Sequence, residues 1–177
     1  MEAYVAGDAR AFERLFRAVG PSLHAFFVRS VRQGAVADDL LQTTFLKLHA
    51  ARATWRRGER LRPWLFTIAG RVRLDWLRRN GRAEEAVDEE ALAGPESRDD
   101  PGGAVLAQER AERVRLALER LPEPQRVVVH LHRFEELGFA EIGRALGISE
   151  GAAKLRAFRA YGELRRLLAD LVAEDAP

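Results

Sequence analysis

Hydrophobic side chains recur at every third or fourth position along most of the chain, a spacing that predicts amphipathic α-helices. No stretch alternates between polar and apolar residues over the length of a half-buried strand. In residues 8–82 the pattern predicts four helices. The first helix is expected to start at Asp8 and to end at Gly20-Pro21, after which the second begins. The third is expected to start at Asp38 or Asp39, and the fourth near Pro63.

A helix-turn-helix pattern follows in the second half of the chain. Pro122 and Pro124 are expected to separate two helices, because proline ends one helix and is accepted in the first turn of the next. Residues 139–146 then place apolar side chains on one face. Gly147 can adopt the positive φ of a turn, and Ser149 can cap the following helix.

The two helical stretches are separated by an acidic segment. Residues 83–104 are rich in Glu, Asp, Gly and Pro and contain no aromatic residue, so this segment cannot bury enough surface to order itself. We therefore predict an all-α fold of two small helical domains. These are an N-terminal helical bundle at residues 1–82 and a C-terminal helix-turn-helix domain at residues 105–177, joined by a flexible acidic linker at residues 83–104.

Charge is distributed unevenly around the formal net value of +2. Residues 1–82 contain 16 basic and 7 acidic side chains, residues 83–112 contain 2 and 10, and residues 113–177 contain 11 and 10. Only Lys47 and Lys154 among the 29 basic residues are lysines. Arginine binds phosphate and guanine through paired hydrogen bonds, which favours a nucleic-acid partner, although genome composition explains the bias equally well.

Other classes of function find little support. The chain has no cysteine and no apolar run near the roughly 20 residues that span a bilayer, so we expect a cytoplasmic protein without membrane insertion. No phosphate-binding loop is present, and the four histidines have no metal-ligand spacing. We expect neither catalysis by the chain alone nor a cofactor or metal.

Four motifs, in this order, resemble those of the bacterial extracytoplasmic-function sigma factors of RNA polymerase. Residues 39–46 (DLLQTTFL) are similar to the family's D-L-x-Q-x-x-F-L. Residues 62–79 contain W-L-x-x-I-A followed by D-x-L-R-R, residues 121–126 (LPEPQR) resemble L-P-x-x-x-R, and residues 139–149 resemble the helix-turn-helix. The resemblance covers nearly all of the chain.

The resemblance implies that the third helix binds the clamp of core polymerase. The residues expected to do so are Asp39, Gln42, Thr43 and Leu46. Thr43 stands where relatives commonly have an acidic residue, so one charged contact is expected to be missing. The alternative is that Asp38 and Asp39 only cap the helix.

The fourth helix is implied to recognise and melt the promoter's minus-ten element. Arginines beside aromatic side chains suit single-stranded DNA, because the arginines bind the phosphate backbone and the aromatic rings bind the unpaired bases. The candidates are Phe66, Arg71, Arg73, Asp75, Arg78, Arg79 and Arg82. Arg71 occupies a position where relatives often have Asn, so we expect altered base preference or greater reliance on phosphate contact.

The helix after Ser149 is implied to bind the minus-thirty-five element in the major groove. The candidates are Ser149, Glu150, Gly151, Lys154, Leu155, Arg156, Phe158 and Arg159. Ala152 and Leu155 occupy positions where relatives usually have hydroxyl residues that donate hydrogen bonds to phosphate. Each lost hydrogen bond is expected to cost about 1 kcal/mol of binding free energy. Binding at this element is therefore expected to be weak or atypical.

Together these features predict an alternative sigma factor whose partners are core RNA polymerase (clamp and flap), promoter DNA and an anti-sigma protein. The nearly neutral C-terminal segment suits a domain that binds DNA only while held on polymerase. Two alternatives remain. One is a stand-alone helix-turn-helix regulator, and the other is a sigma-like polymerase-binding module with impaired promoter recognition.

Overall fold

The computed structural model describes residues 1–80 and 104–169. All regular structure in these two ranges is helical, which confirms the predicted all-α fold. A short 3₁₀ turn lies at Arg52–Thr54. The α-helices in chain order are α1 (Glu2–Val5), α2 (Ala9–Val31), α3 (Gly34–Ala51), α4 (Leu61–Arg79), α5 (Ala104–Arg120), α6 (Glu123–Arg133), α7 (Phe139–Leu146) and α8 (Glu150–Leu167).

Helix α2 runs without a break past Pro21, so the prediction that Gly20-Pro21 ends a helix was wrong. An internal proline costs about 3 kcal/mol through its lost hydrogen bond and its steric clash. Burial of apolar side chains on both sides of the proline outweighs this cost, at roughly 1.5–3 kcal/mol each. These side chains include Leu15, Val19, Leu23, Phe26 and Phe27. The predicted cap at Asp8 is present, since its carboxylate accepts a hydrogen bond of 2.8 Å from the backbone of Arg10.

Helix α3 begins at Gly34, four residues before Asp38. The prediction that Asp38 or Asp39 opens this helix was therefore wrong, and both residues lie inside it. The carboxylate of Asp38 is instead 3.2 Å from Nε2 of His24 on α2. Ala37, in the first turn of α3, is fully buried in the core. This packing explains why the helix begins on the N-terminal side of Asp38 and Asp39.

The helix-turn-helix prediction is confirmed. Helix α7 ends where Gly147 adopts φ 71° and ψ 32°, a left-handed conformation that favours glycine. The side chain of Ser149 caps α8 by accepting a hydrogen bond of 3.0 Å from the backbone of Ala152. A Cβ atom at Gly143 would lie 2.8 Å from the carbonyl oxygen of Ile148, so a glycine allows α7 and the turn to approach closely.

The two helical segments pack directly against each other, which the sequence did not predict. Helix α4 packs on α7, and α2 packs on α6. A continuous hydrophobic core joins Phe26 and Phe66 of the first segment to Leu131 and Leu146 of the second. Most of the predicted linker lies outside the described residues, and the proposed domain limits remain a prediction.

Candidate polymerase and nucleic-acid interfaces

Helix α3 separates a buried side from an exposed side. Leu40, Thr44 and Leu48 face the core, and the Thr44 hydroxyl donates a hydrogen bond of 2.8 Å to the carbonyl oxygen of Leu40. The four residues predicted to bind polymerase recur three or four positions apart, which places them on one outward side of the helix. Asp39, Gln42 and Leu46 are exposed, and Thr43 is half-buried.

An apolar groove adjoins this exposed side of α3, between α3 and the first turns of α2. Its volume is about 900 Å³. Leu46 is 66% exposed and Phe16 is 44% exposed, although both side chains are large and hydrophobic. The groove is also lined by Phe12, Leu41 and Phe45. Sequence reasoning missed this groove, because Phe16 follows the same helical spacing as the buried Leu15 and Val19, and spacing alone does not show which apolar side chains stay exposed.

Helix α4 presents part of its predicted nucleic-acid face to solvent. Arg71, Arg78 and Arg79 are exposed. Asp75 is bound by Lys47 of α3, with 3.0 Å between Nζ and the carboxylate. The acidic side chain on this face is therefore neutralised by α3, and the arginines dominate the local charge.

The other side of α4 is covered. Phe66 is only 1% exposed and packs edge-on against Phe26, with ring centroids 5.5 Å apart. Arg73 is fully buried, and its guanidinium donates to the carboxylate of Glu123 at 2.6 and 3.1 Å. The structure does not bring Phe66 and Arg73 to the surface beside Arg71, and their contact with DNA remains a prediction that requires them to be uncovered. Arg82 lies outside the described residues.

Helix α8 shows the same division. Its exposed side includes most of the predicted minus-thirty-five residues: Glu150, Gly151, Lys154, Phe158 and Arg159, next to exposed Ser149 in the preceding turn. Leu155 is 7% exposed and Arg156 is 3% exposed, so the structure places these two predicted contacts inside the protein.

Local ion pairing reduces the positive charge of α8. The ammonium group of Lys154 lies 2.8 Å from the carboxylate of Glu150, one turn earlier in the helix. Arg159 is exposed on the following turn. Lys154 must therefore exchange Glu150 for a phosphate or a base when DNA binds, which fits the weak binding expected from the sequence.

Between the two segments lies a set of partly buried ion pairs. Arg62 of α4 donates to Glu135, whose side chain is only 2% exposed. Burial raises the pKa of Glu135, and the positive charge of Arg62 opposes that rise. Arg60 contacts Glu141 of α7 at 3.2 Å. The interface is therefore held by charge pairs as well as by apolar contact.

Within residues 1–80 and 104–169, no three side chains of His, Cys, Asp or Glu gather closely enough to hold a metal ion. No helix in these ranges is both long and apolar enough to cross a bilayer.

Two family models match this chain, and curated relatives match nearly all of its length. The family model of sigma-70 region 2 matches residues 15–83, and that of sigma-70 region 4 matches residues 111–164. The RNA polymerase sigma factor CarQ of Myxococcus xanthus is 40% identical over 177 residues, which cover 99% of both chains. The ECF RNA polymerase sigma factor SigM of Mycobacterium tuberculosis is 35% identical over 95% of this chain and 82% of its own length.

Solved structures show the same arrangement of helices. The sigma factor RpoE of Bartonella quintana, determined in complex with the anti-sigma factor NepR, superposes with a TM-score of 0.64 at 25% identity. The match covers 91% of this chain and 98% of that one. CnrH in complex with the cytosolic domain of CnrY superposes with a TM-score of 0.58 at 24% identity over 97% and 94% of the two chains, which supports the fold.

These findings define a protein of the sigma-70 class, which directs RNA polymerase in transcription initiation. Within that class the chain belongs to the extracytoplasmic-function sigma factors. It is an alternative sigma factor, whose regions 2 and 4 bind core RNA polymerase and promoter DNA.

Proposed function

We propose that three exposed helix faces divide the work of this sigma factor. The outward side of α3 binds the polymerase clamp, the basic side of α4 binds the minus-ten element, and the exposed side of α8 binds the minus-thirty-five element. One observation supports this assignment above the others. Each helix buries one side in the core and leaves polar, basic or unpaired apolar side chains on the other.

On α3, the strongest support is the exposure of Leu46 in the same face as Asp39 and Gln42. An exposed leucine next to a carboxylate and an amide suits a partner helix that offers one apolar contact and basic groups around it. The clamp of core polymerase is the partner proposed from the family.

On α4, Arg71, Arg78 and Arg79 form a basic face that follows a DNA backbone. On α8, Lys154 and Arg159 lie about one and about two and a half turns from the start of a helix that enters the major groove end first. Phe158 is 39% exposed and available for contact with a thymine methyl group or with polymerase.

We further propose that an anti-sigma protein regulates this chain, because the RpoE of Bartonella quintana, at 25% identity, was determined in complex with the anti-sigma factor NepR. We assign no catalytic step to the chain itself, because sigma factors are initiation factors and the polymerase performs the chemistry. We also propose a cytoplasmic location, because the chain acts together with RNA polymerase and promoter DNA.

The polymerase assignment is tested by co-elution with core RNA polymerase. Leu46→Glu is expected to weaken co-elution at least tenfold, because it places a charge in the centre of the contact. The matched control is Leu116→Glu on α5, where a leucine is 45% exposed outside the proposed face. Equal co-elution of the two variants would refute the assignment of α3.

Reconstituted transcription separates this function from its alternatives. Specific transcripts that require both core polymerase and the chain support a sigma factor with intact promoter recognition. Tight, salt-sensitive binding of duplex DNA by the chain alone supports a stand-alone regulator. Polymerase binding without promoter-dependent transcripts supports the module with impaired recognition. Sequencing the transcripts would also identify the promoter.

A further inference from the structure

We propose that Glu150 and Lys154 form a specificity pair, which recognises one G·C base pair of the minus-thirty-five element from the major groove. This inference rests on the proposed assignment of α8 to that element. It adds which side chains select the DNA sequence and which base pair they select. Both residues lie in the first turns of α8, four positions apart and therefore on the same side of the helix.

Burial leaves few side chains at the end of α8 that enters the groove. A recognition helix contacts base edges mainly through its N-terminal residues. Among residues 150–157, roughly the first two turns, Glu150, Gly151 and Lys154 are exposed and the other side chains are buried. The glycine has no side chain, and the hydroxyl oxygen of Ser149 accepts the capping hydrogen bond. One carboxylate and one ammonium group therefore remain for base edges at this end.

In the free chain these two groups bind each other. Nζ of Lys154 lies 2.8 Å from Oε1 of Glu150, and the two side chains are 52% and 50% exposed. Ion pairs as exposed as this one contribute little stability, so they exchange readily for hydrogen bonds to DNA. The cap at Ser149 and the packing of α7 on α8 fix the backbone that carries both side chains.

An ammonium group beside a carboxylate matches the major-groove edge of a G·C pair. Guanine offers two neighbouring acceptors, N7 and O6, and cytosine offers the N4 donor next to them. Lysine donates to the guanine acceptors, and glutamate accepts from cytosine N4. In an A·T pair the donor of adenine lies between two separate acceptors, and a thymine methyl group follows. The specificity pair therefore fits G·C better than A·T.

Glu150 also acts against other sequences. The phosphates repel a carboxylate that approaches DNA, and only a base that offers a donor compensates for this repulsion. The carboxylate therefore weakens binding to mismatched sites more than binding to the matched site. Glu150 thus lowers overall affinity and raises selectivity, in agreement with the weak binding expected for this helix.

The test uses holoenzyme reconstituted from core polymerase and the full chain. The promoter identified by transcript sequencing is the template, and each position of its minus-thirty-five element is changed to all four base pairs. Transcript yield and promoter affinity are measured for the parent, Glu150→Gln and Glu163→Gln. Glu163 is the matched control, because it also lies on α8 and pairs with Arg166 at 2.5 Å. It lies about three and a half turns beyond Glu150.

We expect the parent and Glu163→Gln to prefer a G·C pair at one position by about five- to tenfold over the other base pairs. Glu150→Gln is expected to favour adenine there instead, because glutamine makes paired hydrogen bonds to adenine N6 and N7. Lys154→Met, which removes the donor, is expected to reduce the preference at the same position. If Glu150→Gln keeps the base preference of the parent at every position, the inference is overturned.

Glu150→Asp covers the case in which a lost charge at the start of α8 weakens folding. Aspartate keeps the negative charge that stabilises a helix N-terminus, but its carboxylate is one methylene closer to the backbone. It is therefore expected to reduce the G·C preference without a change in melting temperature. If Glu150→Asp keeps the full preference of the parent, the carboxylate does not contact the base and the inference fails.

The proposed function and the inference fail in different ways. Promoter-dependent transcripts from the parent without any base preference in the minus-thirty-five element would contradict the assignment of α8, and the inference would fail with it. A base preference of the parent that persists unchanged in Glu150→Gln and Glu150→Asp supports the assignment of α8 and overturns only the specificity pair.

Discussion

Because His130 is buried, the stability of the folded protein should decrease as the pH becomes mildly acidic. This side chain belongs to α6 and is only 3% exposed. It lies between Phe26 of α2, with ring centroids 6.3 Å apart, and Phe134, at 5.6 Å. Burial, together with the nearby charge of Arg29, lowers the pKa of His130 to about 3. The imidazole is therefore neutral in the folded protein over the ordinary pH range.

The direction in which stability changes with pH follows from proton linkage. In the unfolded chain His130 binds a proton near pH 6.5, whereas in the folded chain it does so only near pH 3. Stability from this residue is therefore fully present above pH 6.5 and is lost progressively as the pH falls toward 3. At pH 5.5, one unit below the pKa of His130 in the unfolded chain, the loss of stability is about 1.4 kcal/mol.

Glu135 acts in the opposite direction. Its Oε1 atom lies 3.6 Å from Nε2 of His130, and burial raises its pKa while the nearby charge of Arg62 opposes the rise. A carboxyl group with a raised pKa regains stability as the pH falls. This contribution has the opposite sign to that of His130, so a comparison of variants is needed to isolate the histidine.

The measurement is urea unfolding followed by circular dichroism at pH 7.5 and pH 5.5. His130→Leu, which keeps an apolar group of similar size between the two phenylalanines, should lose about 1 kcal/mol less than the parent chain over this interval. Leu116→Ala, at an exposed position on α5 that carries no ionisable group, serves as the control and should retain the parent's pH dependence. The reasoning is refuted if His130→Leu and the parent lose the same stability between the two pH values.

Three further predictions concern stability and DNA binding. Phe26→Ala, at a fully buried core position, should lower the free energy of unfolding by about 3–5 kcal/mol in urea, and a loss below 1 kcal/mol would contradict the described core. Ser149→Ala should cost about 1 kcal/mol by removing the cap of α8, while Ser149→Asp should restore most of it, and identical melting temperatures of all three chains would argue against the cap. Arg159→Ala should lower the slope of log affinity against log salt by about 1 for a minus-thirty-five duplex bound by holoenzyme. An unchanged slope would remove Arg159 from the phosphate contacts, and Arg144→Ala on the exposed side of α7 is the control.

Much of the fold could be predicted because its signals are local. The turn at Gly147 and the cap at Ser149 depend on residues within one or two positions, and both are present as the sequence indicated. The outward face of α3 followed from the resemblance to sigma factors, since Asp39 and Leu46 lie two turns apart on one helix. The apolar pattern alone would not have identified the exposed Leu46. Resemblance to sigma factors then supplied the function that periodicity alone does not.

Errors arose where a distant contact outweighed a local preference. Pro21 favours a helix end, yet the aromatic core around Phe26 holds α2 continuous. Asp38 favours a cap, yet its helix begins four residues earlier and the side chain pairs with His24 on another helix. In both cases burial and pairing across the bundle contribute more free energy than the preference of a single residue.

What the sequence determined by itself was the all-helical type of the fold, the helix-turn-helix and the chemical character of the faces. Only the tertiary structure decided which of the arginines are accessible. Arg71 and Arg73 are two positions apart on one helix, but the first is exposed and the second is buried against Glu123, 50 residues later in the chain. The physical reason is that accessibility depends on what packs against a side chain, and that partner comes from the other half of the chain.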